Sequence, residues 1–322
     1  MVIFPSRADR RAAATFCTLL TGDTDLLVAT ARTLDAAIAS PAEVLILVLP
    51  DDQACALSGA QIARLQNRKV IGVGYGAARI FGELGLEINN GACAHFGALS
   101  MTLSIEPNQL AQLPGLGNPA GIAHGEAPSP VDNFGMHIPS TSRLLAVVDV
   151  IARAKVDPNY ALIARQGHHI LVGLVAPADA WTPAYADLFR AIVHALHAYP
   201  ARPFARAEWP TLAPGVHPLR LAQGRSTTEA SSFEGQLRFA TPTAFTATLA
   251  ISGSESIMLL FMGEKREHWT REDGADGETL TIAVEISEAD IQAVGDRYWK
   301  LNVTNFDSER MAECELTIDY HP

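Results

Sequence analysis

Gly72-Val73-Gly74-Tyr75-Gly76-Ala77-Ala78-Arg79-Ile80-Phe81 follows directly on Lys69-Val70-Ile71. A short apolar run, three glycines at alternate positions and a helical pattern succeed one another. That order reads as a buried strand, a tight turn and a helix. Upstream, Val44-Leu45-Ile46-Leu47-Val48-Leu49 is a continuous apolar run closed by Pro50. A parallel strand covered on both faces has this texture. Ser58-Gly59-Ala60-Gln61 between the two runs is an S-x-x-Q capping box opening a helix through Leu65. Strand, helix, strand, turn and helix make the βαβ rhythm of an open α/β sheet. Before it, Ala12–Leu20 reads as a helix and Asp25–Ala29 as a short strand.

Working outward, residues 106–139 hold six of the 19 prolines and read as a long loop or insertion. Tyr160–Arg165 and His169–Val175 flank Gln166-Gly167-His168 and read as a hairpin on the sheet edge. Ala184–Tyr199 carries Leu188, Phe189, Ile192, Val193 and Leu196 on one helical face. Residues 201–228 read as a linker. From Phe233 onward the texture is all-β: Phe245–Ile251 is Thr- and Ala-rich, Ile257–Met262 is an apolar run, Leu280–Ile286 and Tyr298–Val303 follow, and Cys314–Tyr320 alternates cleanly. Six or seven such strands predict a small β-sandwich. The expected architecture is therefore an α/β domain over 1–200, a linker over 201–228 and a separate all-β sandwich over 229–322.

Composition narrows the function classes. The 322 residues include 24 Lys+Arg and 35 Asp+Glu, a net charge of −11. That balance argues against a general nucleic-acid or anionic-membrane binder, which needs a basic face. No run approaches 18 apolar residues, so no membrane span is expected. Met1-Val2-Ile3-Phe4-Pro5 leads into charged residues rather than a signal-peptide core, and a cytoplasmic protein is expected; a chain trimmed of its signal reads the same. Cys17, Cys55, Cys93 and Cys314 show no zinc or redox spacing. No metal or cofactor is expected, and a homo-oligomer is left open.

The segment Gly72–Phe81 resembles the nucleophile elbow of the class I glutamine amidotransferase-like superfamily, Gly-x-Cys-x-Gly followed by a helix. Tyr160–Leu196 is similar to the end of its ThuA-like members. The resemblance covers about the first 200 residues and implies a flavodoxin-like open sheet. Where the family carries cysteine, this chain has Gly74. Acyl transfer needs a nucleophile beside a base, and glycine has no side chain to attack with. The family's His-x-Glu is also missing, since His169 is followed by Ile170 and Leu171. The resemblance thus implies a pseudoenzyme: a non-catalytic protein acting in ligand binding or protein interaction. The ligand-binding candidates are Gly74, Tyr75, Gly76, Arg79 and His169. Backbone N–H groups of Tyr75 to Ala78 offer a helix N-terminus to a small anion. The plainer reading is that the three glycines only let a strand turn tightly against a helix.

Other readings stay open. A hydrolase with a displaced nucleophile would use Cys93, two residues from His95, or His169 as base. Cys55 lies close to Asp51 and Asp52, which raise a thiol pKa. Gly72-x-Gly74-x-x-Ala77 also fits a dinucleotide fingerprint, but the acid expected about 20 residues on is missing between Glu87 and Glu106. Asp51 and Asp52 follow a strand's carboxyl end, where open sheets place ligands. His168 and His169 face opposite sides if both are in a strand, and read as surface or edge residues. His194 and His197 share a helix face at i, i+3 but lack a metal motif. Asn302-Val303-Thr304 is a glycosylation sequon without meaning in a cytosolic protein. The C-terminal half, through Tyr298–Asn305, is similar to pre-peptidase C-terminal and carbohydrate-binding sandwiches. That similarity implies sugar as an alternative ligand, with Trp269 as stacking candidate and Trp299 as core.

Overall fold

The computed structural model describes residues 2–5, 10–21, 29–49, 57–89, 93–96, 103–105, 133–154, 157–173, 183–198, 203–224, 226, 228–263, 269–294 and 298–321. The chain divides into two compact units. One comprises Met1–Ile138 and Leu144–Arg206, the other Pro139–Arg143 and Ala207–Pro322.

The first unit alternates β1 (Val2–Pro5), α1 (Arg10–Thr21), β2 (Ala29–Thr30), α2 (Leu34–Ala39), β3 (Val44–Val48), α3 (Gly59–Gln66), β4 (Lys69–Val73) and α4 (Tyr75–Glu83). Then come β5 (Cys93–Phe96), β6 (Leu103–Ile105), β7 (Asn133–His137), β8 (Val148–Ala154), β9 (Tyr160–Gln166), β10 (His169–Val172) and α5 (Pro183–Ala198). All ten strands join one sheet, ordered β2-β1-β3-β4-β10-β9-β7-β5, with β8 also on β9 and β6 on β8. From β2 to β10 neighbours run parallel; beyond β10 they run antiparallel.

Strand alternation assigns the helices to faces. Gly72 on β4 lies level with Leu171 on β10, and a Cβ at Gly72 would stand 2.9 Å from Ala77 Cβ and 3.1 Å from Phe81 Cζ. So α4 presses on that face, and the missing side chain is what admits it. Lys69, of opposite parity, donates through Nζ to the His197 carbonyl on α5 (2.9 Å), which puts α5 on the other face. There α1 joins it, Phe16 meeting Phe189 edge-on at 5.2 Å. Covered twice, β3 and β4 are buried along their whole lengths. The S-x-x-Q box forms: the Gln61 N–H donates to Ser58 Oγ (3.3 Å) and the Ser58 N–H to Gln61 Oε1 (2.7 Å).

Two expectations are corrected here. The hairpin Tyr160–Val172 is not at the sheet edge; β10 is inserted beside β4 and β9 carries further strands. An apolar hairpin reads alike in either place, because neighbours come from other parts of the chain. And residues 133–137, inside the segment read as loop, form β7; the five prolines from Pro107 to Pro130 lie outside the described residues.

The second unit holds β11 (Gly215–Leu221), β12 (Ser232–Leu237), β13 (Thr243–Ser252), β14 (Ile257–Gly263), β15 (Thr270–Gly274), β16 (Thr279–Ile286), α6 (Glu288–Val294), β17 (Trp299–Asn305) and β18 (Ala312–His321). They form two antiparallel four-stranded sheets, β11-β18-β13-β16 and β12-β17-β14-β15. Inward residues of both share one core. Phe245 of the first sheet meets Phe261 of the second at 5.0 Å, and Trp299 stacks on Phe261 at 5.5 Å. Part of the supposed linker is structural: Gly215–Leu221 pairs with Ala312–Ile318 as β11. It hid because an edge strand exposes most of its residues and carries Pro218, as edge strands tolerate.

Candidate functional site

Gly74 sits at the corner between β4 and α4. Its φ of 93° and ψ of 176° fall in a region open essentially to glycine alone. It is the N-cap of α4 and contributes no side-chain cap. The Gly74 N–H donates to the Val172 carbonyl (3.2 Å), and the Ala78 N–H donates to the Gly74 carbonyl (3.1 Å). From β3's end, the Leu49 N–H donates to the Val73 carbonyl (2.9 Å), while the Leu49 carbonyl accepts the Gly76 N–H (2.9 Å). Three strand ends therefore hold the corner rigidly.

The same bonds narrow the expected anion site. Of the four amides from Tyr75 to Ala78, those of Gly76 and Ala78 are committed to Leu49 and Gly74. The Tyr75 ring stacks on Phe134 of β7 at 4.3 Å, so a residue of the supposed loop lids the corner. Nothing in the sequence near Phe134 announced this, since the contact spans nearly sixty positions. Tyr75 and Arg79 are half-buried, Gly74 and Gly76 buried.

Substituting Gly74 by cysteine forces a side chain into this backbone region. Such strain costs about 1–3 kcal/mol. Urea unfolding of Gly74→Cys is expected to show a midpoint reduced accordingly; an unchanged midpoint would mean that the corner relaxes freely.

His169 does not belong to the corner, which corrects its inclusion among the ligand candidates. It opens β10 level with Val70, at the amino end of the strand whose carboxyl end bonds Gly74. About 10 Å of strand separates the two. It is fully buried, with Phe81 and Phe204 edge-on at 5.6 and 5.9 Å. Its Nε2 lies 3.0 Å from the Leu65 carbonyl, and His168 Nε2 lies 2.8 Å from the Gln66 carbonyl. Carbonyls only accept, so both nitrogens are the protonated ones, and the pair caps the last turn of α3. Burial, then the neighbouring His168, pushes the His169 pKa down to about 3. Neither histidine is a surface residue. His168 sits in the turn after Gly167 (φ 59°), not in the strand, which lets both rings reach one helix end.

The remaining candidates are dispersed. Cys93 is half-buried on β5 opposite Met136, and His95 lies opposite Phe134. Asp51, Asp52 and Cys55 lie outside the described residues. His197 faces Glu43 at 3.4 Å, and Lys69, by its hydrogen bond first, lowers the Glu43 pKa. Among the described residues no three His, Cys, Asp or Glu side chains gather as a metal site needs, and no helix is long and apolar enough to cross a membrane. Buried His137 has its pKa pushed down to about 4 by burial and then by Arg153. In the second unit, Asn302 and Thr304 of the sequon are buried, bonding Glu234 (3.0 Å) and Asn302 (2.5 Å). Trp299 is core, at 2% exposed, and Trp269 is 46% exposed.

No protein-family model matches this chain, and no curated protein does. Solved structures overlap it weakly. An alpha-L-fucosidase isoenzyme 2 from Paenibacillus thiaminolyticus is 12% identical over 95% of this chain and 48% of its own, with a TM-score of 0.34. A CBM4 structure is 10% identical over 34% of this chain and 73% of its own, at 0.23. A carbohydrate-binding module CBM36 in complex with calcium and xylotriose is 8% identical over 35% and 92%, at 0.21. Overlaps this weak define neither a family nor an activity.

Proposed function

We propose that the first unit is a flavodoxin-like, glutamine amidotransferase-like domain without catalysis, serving ligand binding or protein interaction. The parallel order β2-β1-β3-β4-β10 supports the flavodoxin-like part, because that fold runs 2-1-3-4-5. The observation carrying the rest is Gly74: a strand-to-helix corner with positive φ and no side chain to attack from. Among the described residues the two candidate bases His168 and His169 bond the end of α3 at the far strand end instead. Small-ligand contact falls to the half-buried Tyr75 and Arg79 beside the corner, since the Gly76 amide is already bonded to Leu49. The purified chain is to be incubated with glutamine, simple amides and esters, alongside a thiol-reactive probe. No turnover is expected. Turnover lost on labelling, or in Cys93→Ala, would replace this reading with a hydrolase using a displaced thiol.

A second reading concerns the sandwich, where one observation favours sugar contact. Trp269 presents an indole to solvent just before β15, and indole faces are apolar surfaces with a polar edge. Binding of a glycan that disappears in Trp269→Ala supports it.

A further inference from the structure

On β15 the alternation of a strand sets Arg271 and Asp273 on one face, and Trp269, just before the strand, falls in step with them. Successive members stand about 7 Å apart. Arg271 and Asp273 are tied by a fork: Nε donates to Asp273 Oδ2 at 2.9 Å and Nη2 to Oδ1 at 2.9 Å. Both stay exposed, their side chains 41% and 57% accessible. The strand is the outermost of its sheet, with no further strand paired beyond it among the described residues.

We propose that Trp269, Arg271 and Asp273 form a linear platform for a neutral oligosaccharide. This rests on the sugar reading of the sandwich and adds the polar half of the site and the charge class of the ligand. Trp269 supplies a flat face for the C–H side of a pyranose ring. The fork uses Nε and one Nη2 hydrogen, leaving three guanidinium N–H donors and the outer carboxylate lone pairs for hydroxyls. Because each planar group is held by the other, fewer rotamers are lost on binding. Charge selects the class. Asp273 neutralises Arg271, so the row offers an anion no uncompensated cation. Residues 207–322 carry 9 Lys+Arg against 19 Asp+Glu, which repels acidic glycans. A hydroxyl-rich uncharged chain meets neither penalty.

The test titrates the full chain with cellohexaose, xylohexaose and mannohexaose as neutral probes and a galacturonate hexamer as the acidic one. At least one neutral probe is expected to bind and the acidic one not. Trp269→Ala is expected to weaken binding roughly tenfold, and Arg271→Ala and Asp273→Ala each severalfold, with unchanged melting of these exposed variants. Loss in Trp269→Ala but full binding in both fork variants overturns the platform and spares the sugar reading. Binding of the galacturonate alone overturns the neutral class. Absence of binding to all four probes overturns platform and reading together.

Discussion

Between pH 7 and pH 4 the first unit is expected to lose roughly 6 kcal/mol of stability through His137 and His169 alone. Each histidine has an ordinary pKa of 6.5; the fold holds His137 at about 4 and His169 at about 3. Well above pH 6.5 both imidazoles are neutral folded or unfolded, and their contribution to stability is flat. Below 6.5 the unfolded chain binds protons that the folded one refuses. Stability therefore falls as pH drops, at about 1.4 kcal/mol per unit for each histidine, until about pH 4 for one and pH 3 for the other. The sign follows from burial, the leading cause in both. A protonated His169 would also bring charge beside His168, whose ring centroid is 4.6 Å away. The loss rivals the whole stability of an ordinary domain. Hydrogen exchange of β10 and β7 against β13 and β17, followed from pH 7 to pH 4 and corrected for intrinsic rates, should show protection collapsing first in the first unit. Equal protection of β10 at both ends of that range would contradict the buried-neutral assignment.

Replacing Gly173 by alanine is expected to cost more than about 3 kcal/mol and to prevent the first unit from assembling. A Cβ there would stand 2.0 Å from the Phe134 carbonyl oxygen and 3.1 Å from that of Leu162. Both obstacles are backbone and cannot rotate aside. Gly173 is also clamped, its N–H donating to Leu162 (2.7 Å) and its carbonyl accepting from Phe134 (3.1 Å). Shifting Phe134 would break its stack on Tyr75, so damage would spread to the corner. Gly59→Ala is the control, because nothing lies within 4 Å of its Cβ and the site is the first turn of α3. Circular dichroism melts should leave Gly59→Ala unchanged or slightly raised and remove the first unit's helical signal and transition from Gly173→Ala; a native-like melt for Gly173→Ala would refute the crowding.

What the sequence made legible was whatever physics writes locally. The capping box at Ser58, the doubly buried runs Val44–Leu49 and Lys69–Val73, and the alternation of Cys314–Tyr320 each show in a few consecutive residues. So does the turn at Gly74, because only glycine suits its backbone. What stayed hidden depends on distant partners. His168-His169 looked like an edge pair because no local signal says that α3 ends above them. β11 looked like a linker because its exposed residues and Pro218 imitate one. Phe134 could not be linked to Tyr75 without the fold of the intervening chain. Trp269 and Trp299 were separable, since one follows a charged run and the other lies in an alternating strand.

The most direct measurement is the pre-steady-state release of p-nitrophenol from an activated ester, run on the native chain and on Gly74→Cys. On the proposed non-catalytic reading the native chain gives no stoichiometric burst, and placing a sulfur at residue 74 gives no fast one. A burst in the native chain would place a working nucleophile elsewhere. A fast burst confined to Gly74→Cys would reveal a base beside residue 74.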